Sequence, residues 1–128
     1  MANFQENSMA GVFQANAEKY ADKAYAAYKK DNEWVDISWK EMNEMVHNLA
    51  YYLLSLDIQK GDKIGIFAPN SWEWHLSALA INSIGAVDVP IYATNSSEES
   101  EYILSNSDSK LCFVGSADHL KRIIKVKS

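Results

Sequence analysis

The residues best equipped for chemistry lie in Thr94-Asn95-Ser96-Ser97, where three hydroxyls follow an apolar run and open a helix-like stretch. Hydroxyls and free N–H groups at a helix N-terminus can hold a phosphate, so Thr94, Ser96 and Ser97 are candidate phosphate ligands. Capping accounts for the same residues equally well, because Ser96 and Glu99 spell a capping box. Stronger phosphate motifs are absent: there is no Walker pattern, and the five glycines never form GxGxxG. His47, His75 and His119 are far apart, none belongs to HExxH, and CxxC is missing, so no metal site is expected. Asp118-His119 is a single adjacent pair, and adjacent helical residues do not share a face. Ser71, Ser77 and Ser116 each have a capping or packing explanation, and no G-x-S-x-G is present. Glu98 to Glu101 reads as a solvated first helical turn, where the macrodipole favours acids. No catalytic residue is therefore assigned.

The elements that must position these residues follow from periodicity. Val12, Phe13, Ala17 and Tyr20 predict a helix over Ser8 to Tyr20. Ala24 to Lys30 and Trp34 to Ser38, joined through Asp31-Asn32-Glu33, predict a β-hairpin. Ser38 and Glu41 spell a first capping box, and Met42, Val46, Leu49, Leu53 and Leu56 mark the amphipathic helix it opens. Gly61 suits the turn that follows. Beyond it, short apolar strands at Lys63–Ala68, Ala86–Tyr92 and Lys110–Gly115 alternate with helices opened by Ser71, Ser96 and Ser116. The helix from Trp72 to Ile84 is apolar nearly all round, as in a helix buried on more than one side. Gly85 closes it. The fold class is α/β: three short parallel strands with right-handed crossover helices, preceded by a helix, a β-hairpin and an amphipathic helix. Such a small sheet leaves an edge that more chain could pair. The four tryptophans are expected in the core, with an aromatic ligand wall as the functional alternative.

Composition narrows the function classes. The 128 residues are 48% hydrophobic and 23% charged, with a formal net charge of -5. This is a globular chain, and its acidic balance argues against nucleic acid. The cations Lys121, Arg122, Lys125 and Lys127 read as a solvated face. Cys112 is the one cysteine, which excludes an intrachain disulfide and suits a reducing compartment. It is expected to be a small buried residue. Met1 to Ser8 lacks the basic and apolar regions of a secretory signal, and the Leu76–Ala93 window is broken by Asn82, Gly85, Asp88 and Pro90, so no membrane span is expected. The expected location is the cytoplasm.

Several segments, in order, resemble the N-terminal region of the adenylate-forming enzymes, and within them the long-chain fatty acid–CoA ligases. They are Ile37-Ser38-Trp39 before a long helix, Ile58 to Ile64 with its Lys60-Gly61-Asp62, and Phe67-Ala68-Pro69-Asn70-Ser71-Trp72-Glu73-Trp74. Gly85 to Tyr92, Glu101 to Leu104 and Ser107 to Lys110 continue the pattern. The resemblance runs from about Phe13 to Ile123. It implies that residues 1–128 are the N-terminal part of a larger adenylating domain. The full-length enzyme would use ATP, Mg²⁺ and coenzyme A to activate a fatty acid, and this fragment would bind none of them. The family's phosphate loop, adenine-binding motif, ribose-binding aspartate and C-terminal catalytic lysine have no counterpart here, so the fragment alone is expected to be inactive. Asn70, Glu73, Gly85 and Pro90 match family positions and take structural roles. Trp72 and Asp88 depart from the pattern, and a charge at Asp88 in a buried strand would need a partner. The expected partner is the rest of the same chain; peripheral membrane contact and a homodimer stay open. Two rival readings are a flavodoxin-like nucleotide- or flavin-binding module and an interaction module derived from a truncated ligase.

Overall fold

A computed structural model describes residues 8–126. The reading of Met1 to Asn7 and of Lys127 lies outside the described residues. Helix α1 (Met9–Lys19) starts where the Ser8 hydroxyl accepts the Gly11 N–H at 2.9 Å. Strands β1 (Ala24–Lys30) and β2 (Glu33–Ser38) form the antiparallel hairpin. Its two-residue turn places Asp31 at φ 51° and Asn32 at φ 65°, the left-handed pair that suits the twist of a tight hairpin. Helix α2 (Trp39–Ser55) opens with both halves of the Ser38–Glu41 capping box formed.

Strand β3 (Lys63–Phe67), helix α3 (Trp72–Ser83), strand β4 (Val87–Ile91), helix α4 (Ser97–Ser107), strand β5 (Leu111–Val114) and helix α5 (Ala117–Val126) complete the chain. The three strands pair in parallel in the order β4-β3-β5. The expected α/β class and its small parallel sheet are therefore present. The alternation of side chains along β3 divides the molecule into two layers. Ile64 and Ile66 face the main core with Met42, Val46 and Leu53 of α2 and Leu79, Ala80 and Ile81 of α3. On the other side, Phe67 meets the His119 ring of α5 edge-on at 4.6 Å. Gly65 leaves the room that Leu104 of α4 occupies: a Cβ there would stand 2.6 Å from the Leu104 side chain. Ile64, Ile66 and Phe67 are essentially fully buried. Each such side chain contributes about 1.5–3 kcal/mol relative to exposure.

An aromatic cluster fastens the first helix and the hairpin to this core. Phe13, Tyr25 and Trp39 meet with centroids 4.8–5.6 Å apart, and Tyr28 reaches Trp72 of α3. A second fastening lies before β3. The Asp62 carboxylate accepts the Gln59 N–H at 2.7 Å and pairs with Lys110 at 2.9 Å, just before β5. The hydrogen bond from Lys110, followed by that from the Gln59 backbone, holds the Asp62 carboxyl below its ordinary range.

Several sequence expectations need correction. Trp34 is 70% exposed, because the two-stranded hairpin buries only one face. Val12 and Leu56 also stand in solvent: Val12 lies off the buried stripe of α1, and Leu56 caps α2 outside its helical face. Helix α3 is fully buried only at Leu79, Ala80 and Ile81, and Trp72, Trp74 and Leu76 are half-buried. Asp88 lies on β4, an edge strand among the described residues, and is half-exposed, so it is not the buried charge that would need a partner.

Gly115 gives this layer arrangement a sharp test. A Cβ there would meet Ala68 Cβ at 2.5 Å, Ala68 Cα at 3.0 Å and Pro69 Cδ at 3.1 Å. Those atoms belong to rigid groups, whereas the obstacle at Gly65 is the flexible end of Leu104. Gly115→Ala should destabilise by about 1–3 kcal/mol, and by more than Gly65→Ala, in urea unfolding midpoints.

Candidate functional site

In an open parallel sheet the carboxyl ends of the strands face a crevice where ligands bind. Two adjoining clefts occupy that end of this sheet. The larger, about 500 Å³, lies between the Ala68-Pro69-Asn70 turn after β3 and the Pro90-to-Thr94 segment that ends β4. The smaller, about 300 Å³, is bounded by Ile66, Trp74, Ser77, Phe113 and Gly115. Trp74 borders both, and no other tryptophan lines either cleft. Trp74 is placed by the start of α3, where the Ser71 hydroxyl accepts its N–H at 3.2 Å. The larger cleft is mostly apolar, with Asn70 and Thr94 as its polar side chains besides the Tyr92 hydroxyl and the Trp74 indole. Neither cleft is lined by Lys, Arg or His.

The sequence candidates divide. Thr94 is exposed and borders the larger cleft. Ser96 and Ser97 do not join it there. The Ser96 hydroxyl accepts the Glu99 N–H at 3.2 Å, and the Ser96 N–H donates to the Glu99 carboxylate at 3.0 Å. Those bonds, the Ser96 backbone bond first, hold the Glu99 carboxyl below its ordinary range. Ser97 is buried in the first turn of α4. A charged carboxylate thus already occupies the N-terminus of α4, with Glu98 beside it in the first turn.

Sequence reasoning reads Arg122 as part of a solvated face and gives His119 no functional partner, whereas the structure bonds both to Ala93, which lines the larger cleft. His119 is buried, and its Nε2 lies 3.0 Å from the Ala93 carbonyl. A carbonyl only accepts, so Nε2 carries the proton. Nδ1 then accepts from the Ser116 hydroxyl at 2.6 Å, while that hydroxyl accepts the His119 backbone N–H at 3.2 Å. This is a helix-capping arrangement whose far nitrogen is committed to a carbonyl. Arg122 Nη1 donates to the carbonyls of Ala93 at 3.0 Å and Asn95 at 3.2 Å, and Nη2 pairs with Asp118 at 2.6 Å. No local pattern could have disclosed these contacts, since the bonded residues lie 26 to 29 positions apart.

Among the described residues, no group of three or more His, Cys, Asp or Glu side chains could hold a metal ion. No described helix is long and apolar enough to cross a membrane. Cys112 is half-buried in β5, slightly less enclosed than expected.

A parallel sheet with crossover helices and clefts at the strands' carboxyl ends defines an α/β protein. The comparisons narrow that class. The family described as AMP-binding enzyme matches residues 13–128. The chain belongs to that family. It is 31% identical over 123 residues to the long-chain-fatty-acid–CoA ligase FadD15 of Mycobacterium bovis, covering 94% of this chain and 20% of that protein. With mouse long-chain-fatty-acid–CoA ligase ACSBG2 it shares 30% identity over 115 residues, covering 90% of this chain and 17% of the relative. The chain thus spans about a fifth of the length of the curated relatives it matches. Among solved structures, the N-terminal domain of FACL13 from Mycobacterium tuberculosis superposes with a TM-score of 0.79 at 27% identity, covering 93% of this chain and 30% of that one. The anthranilate CoA ligase AuaEII, at 21% identity, shares the fold with a TM-score of 0.80 over 91% of this chain and 22% of its own.

The Cys112 thiol, which faces Gly65 in the layer opposite the main core, offers a measurable consequence. Burial pushes the Cys112 thiol from its ordinary 9.0 up to about 11, against a smaller opposing effect of the Phe67 backbone. At pH 8 the folded thiol should alkylate with iodoacetamide about a hundredfold more slowly than the unfolded one, since the thiolate reacts. Below about pH 9 the thiol is protonated in both states and its burial costs nothing in charge. Above that the unfolded thiol ionises first, so stability should fall as pH rises from about 9 to about 11. Cys112→Ala should remove that part of the pH dependence in denaturant midpoints.

Proposed function

We propose that these 128 residues are the N-terminal part of the large domain of an ATP-dependent long-chain fatty acid–CoA ligase. The full-length enzyme would join a carboxylate to AMP and then pass the acyl group to the thiol of coenzyme A. The observation that carries this reading is the extent of the match: 94% of this chain aligns with a protein named as such a ligase, yet covers only 20% of it.

The lining of the clefts supports a scaffolding role for this segment. A triphosphate needs cations or a cradle of backbone N–H groups. Neither cleft has a cationic lining, and the α4 N-terminus is already served by carboxylates. The two clefts therefore do not fit ATP phosphates, and no adenylation step is derived from them. Of the phosphate candidates, Thr94 keeps a place on a cleft, while Ser96 and Ser97 serve helix α4. What the segment supplies is a sheet with clefts at its carboxyl end, the larger uncharged and the smaller bordered by Glu73, on which later parts of the chain complete the site.

ATP–pyrophosphate exchange tests the proposal. The full-length protein should exchange label only when a long-chain carboxylate is added, and the 128-residue chain alone should show none. Exchange by the short chain would overturn the scaffolding role. Absence of carboxylate-dependent exchange by the full-length protein would overturn the ligase reading.

A further inference from the structure

We propose that His119 and Arg122 are positioning residues for substrate binding. Acting through the Ala93 and Asn95 carbonyls, they fix the Tyr92–Asn95 segment as one wall of the larger cleft, which admits an uncharged, elongated part of a substrate. The inference rests on the ligase reading and extends it to residues outside the clefts.

The wall has little else to hold it. The segment turns tightly, with the Asn95 N–H donating to the Tyr92 carbonyl at 2.9 Å. Tyr92 itself is 81% exposed, so its ring provides no anchor in the core. Helix α5 supplies the anchor instead. Two donors converge on the single Ala93 carbonyl, one from His119 and one from Arg122, and Arg122 extends to Asn95. Both donors are themselves constrained. The His119 ring is fixed from behind by the Ser116 hydroxyl and against its edge by Phe67 of the central strand. The Arg122 guanidinium is turned by Asp118, one helical turn earlier. A carbonyl with two lone pairs satisfied by a rigid imidazole and a planar guanidinium has little freedom to move.

The chemistry of the occupant follows from the lining. Ala68, Pro69, Trp74, Pro90 and Ile91 offer apolar surface, Asn70 and Thr94 offer neutral hydrogen-bonding groups, and no ionised side chain is present. A phosphate or free carboxylate entering such a cleft would lose water without gaining a counter-charge. An uncharged chain loses nothing comparable. In the ligase reaction two substrates carry such a chain, the carboxylic acid and the thiol. Their shared chemistry is what the cleft suits.

The test uses the full-length protein with four variants: H119L, H119Q, R122M and R122K. Leucine removes the donor while keeping bulk, and glutamine restores an N–H near the Nε2 position. Michaelis constants are measured separately for the carboxylate, ATP and the thiol, with a thermal midpoint for each variant. H119L and R122M should raise KM for either the carboxylate or the thiol by about five- to thirtyfold, the scale of one lost hydrogen bond to a partly buried carbonyl. KM for ATP should stay within about twofold, H119Q should recover most of the loss, and R122K part of it. Whether the carboxylate or the thiol responds identifies the chain that enters the cleft. Unchanged KM for both, with only the midpoint lowered, would overturn the inference and leave the ligase reading intact. An equal rise in all three constants would overturn it too, because general loosening and not the wall would then be responsible. A wild-type protein without turnover would sink the ligase reading and this inference with it.

Discussion

Everything in this structure depends on a five-residue strand buried from both sides. Strand β3 sends Ile64 and Ile66 into one layer, and Gly65 and Phe67 into the other. That double burial accounts for the near-continuous apolar run in its sequence, as expected for the central strand of a parallel sheet. It also dictates the neighbours. β4 and β5 pair on its two sides, α2 and α3 cover one face, and α4 and α5 cover the other. With the strand order fixed, the carboxyl ends of all three strands open on the same side. The clefts lie there for that reason, and residues from the turn after β3 and from the ends of β4 and β5 meet around Trp74.

Small residues let these layers close. Gly115 admits the Ala68-Pro69 turn where a methyl group would collide with it, and Gly65 makes room for Leu104. Gly61 and Gly85 serve differently: both adopt positive φ, and the Gly61 N–H donates to the Gly85 carbonyl at 2.9 Å. This ties the loop entering β3 to the loop entering β4. The start of the sheet is thus fastened by backbone and by the Asp62–Lys110 pair, while its carboxyl end is fastened by side chains from α5. The fold is closed at one end and furnished at the other.

Much of this was legible in sequence because the rules involved are local. Both capping boxes, Ser38–Glu41 and Ser96–Glu99, form as spelled, and the Asp31-Asn32 turn adopts the left-handed pair that such residues tolerate. The alternation of strands and helices after Asp62 gave the parallel sheet, and the ordered segments from Phe13 onward gave the family. What escaped depended on which neighbour a residue finds. Trp34 was expected inside because tryptophan usually is, yet the hairpin has a solvated face. The apolar strand around Asp88 predicts burial, yet the strand lies at an edge among the described residues. His119 offered only an adjacent aspartate, and its partner at Ala93 is brought close by the whole β4–α4–β5–α5 crossover. The Thr94–Ser97 stretch carried two readings from sequence, and local capping takes Ser96 while Thr94 alone reaches a cleft.

On the proposed reading, this sheet is the opening portion of a longer ligase and a scaffold for a site completed by later residues. The most direct measurement is the size of the native polypeptide, by immunoblot of the source cells with an antibody raised against this chain. A species several times the length of these 128 residues is expected. A native product of about 128 residues, with no larger species recognised by the antibody, would contradict it.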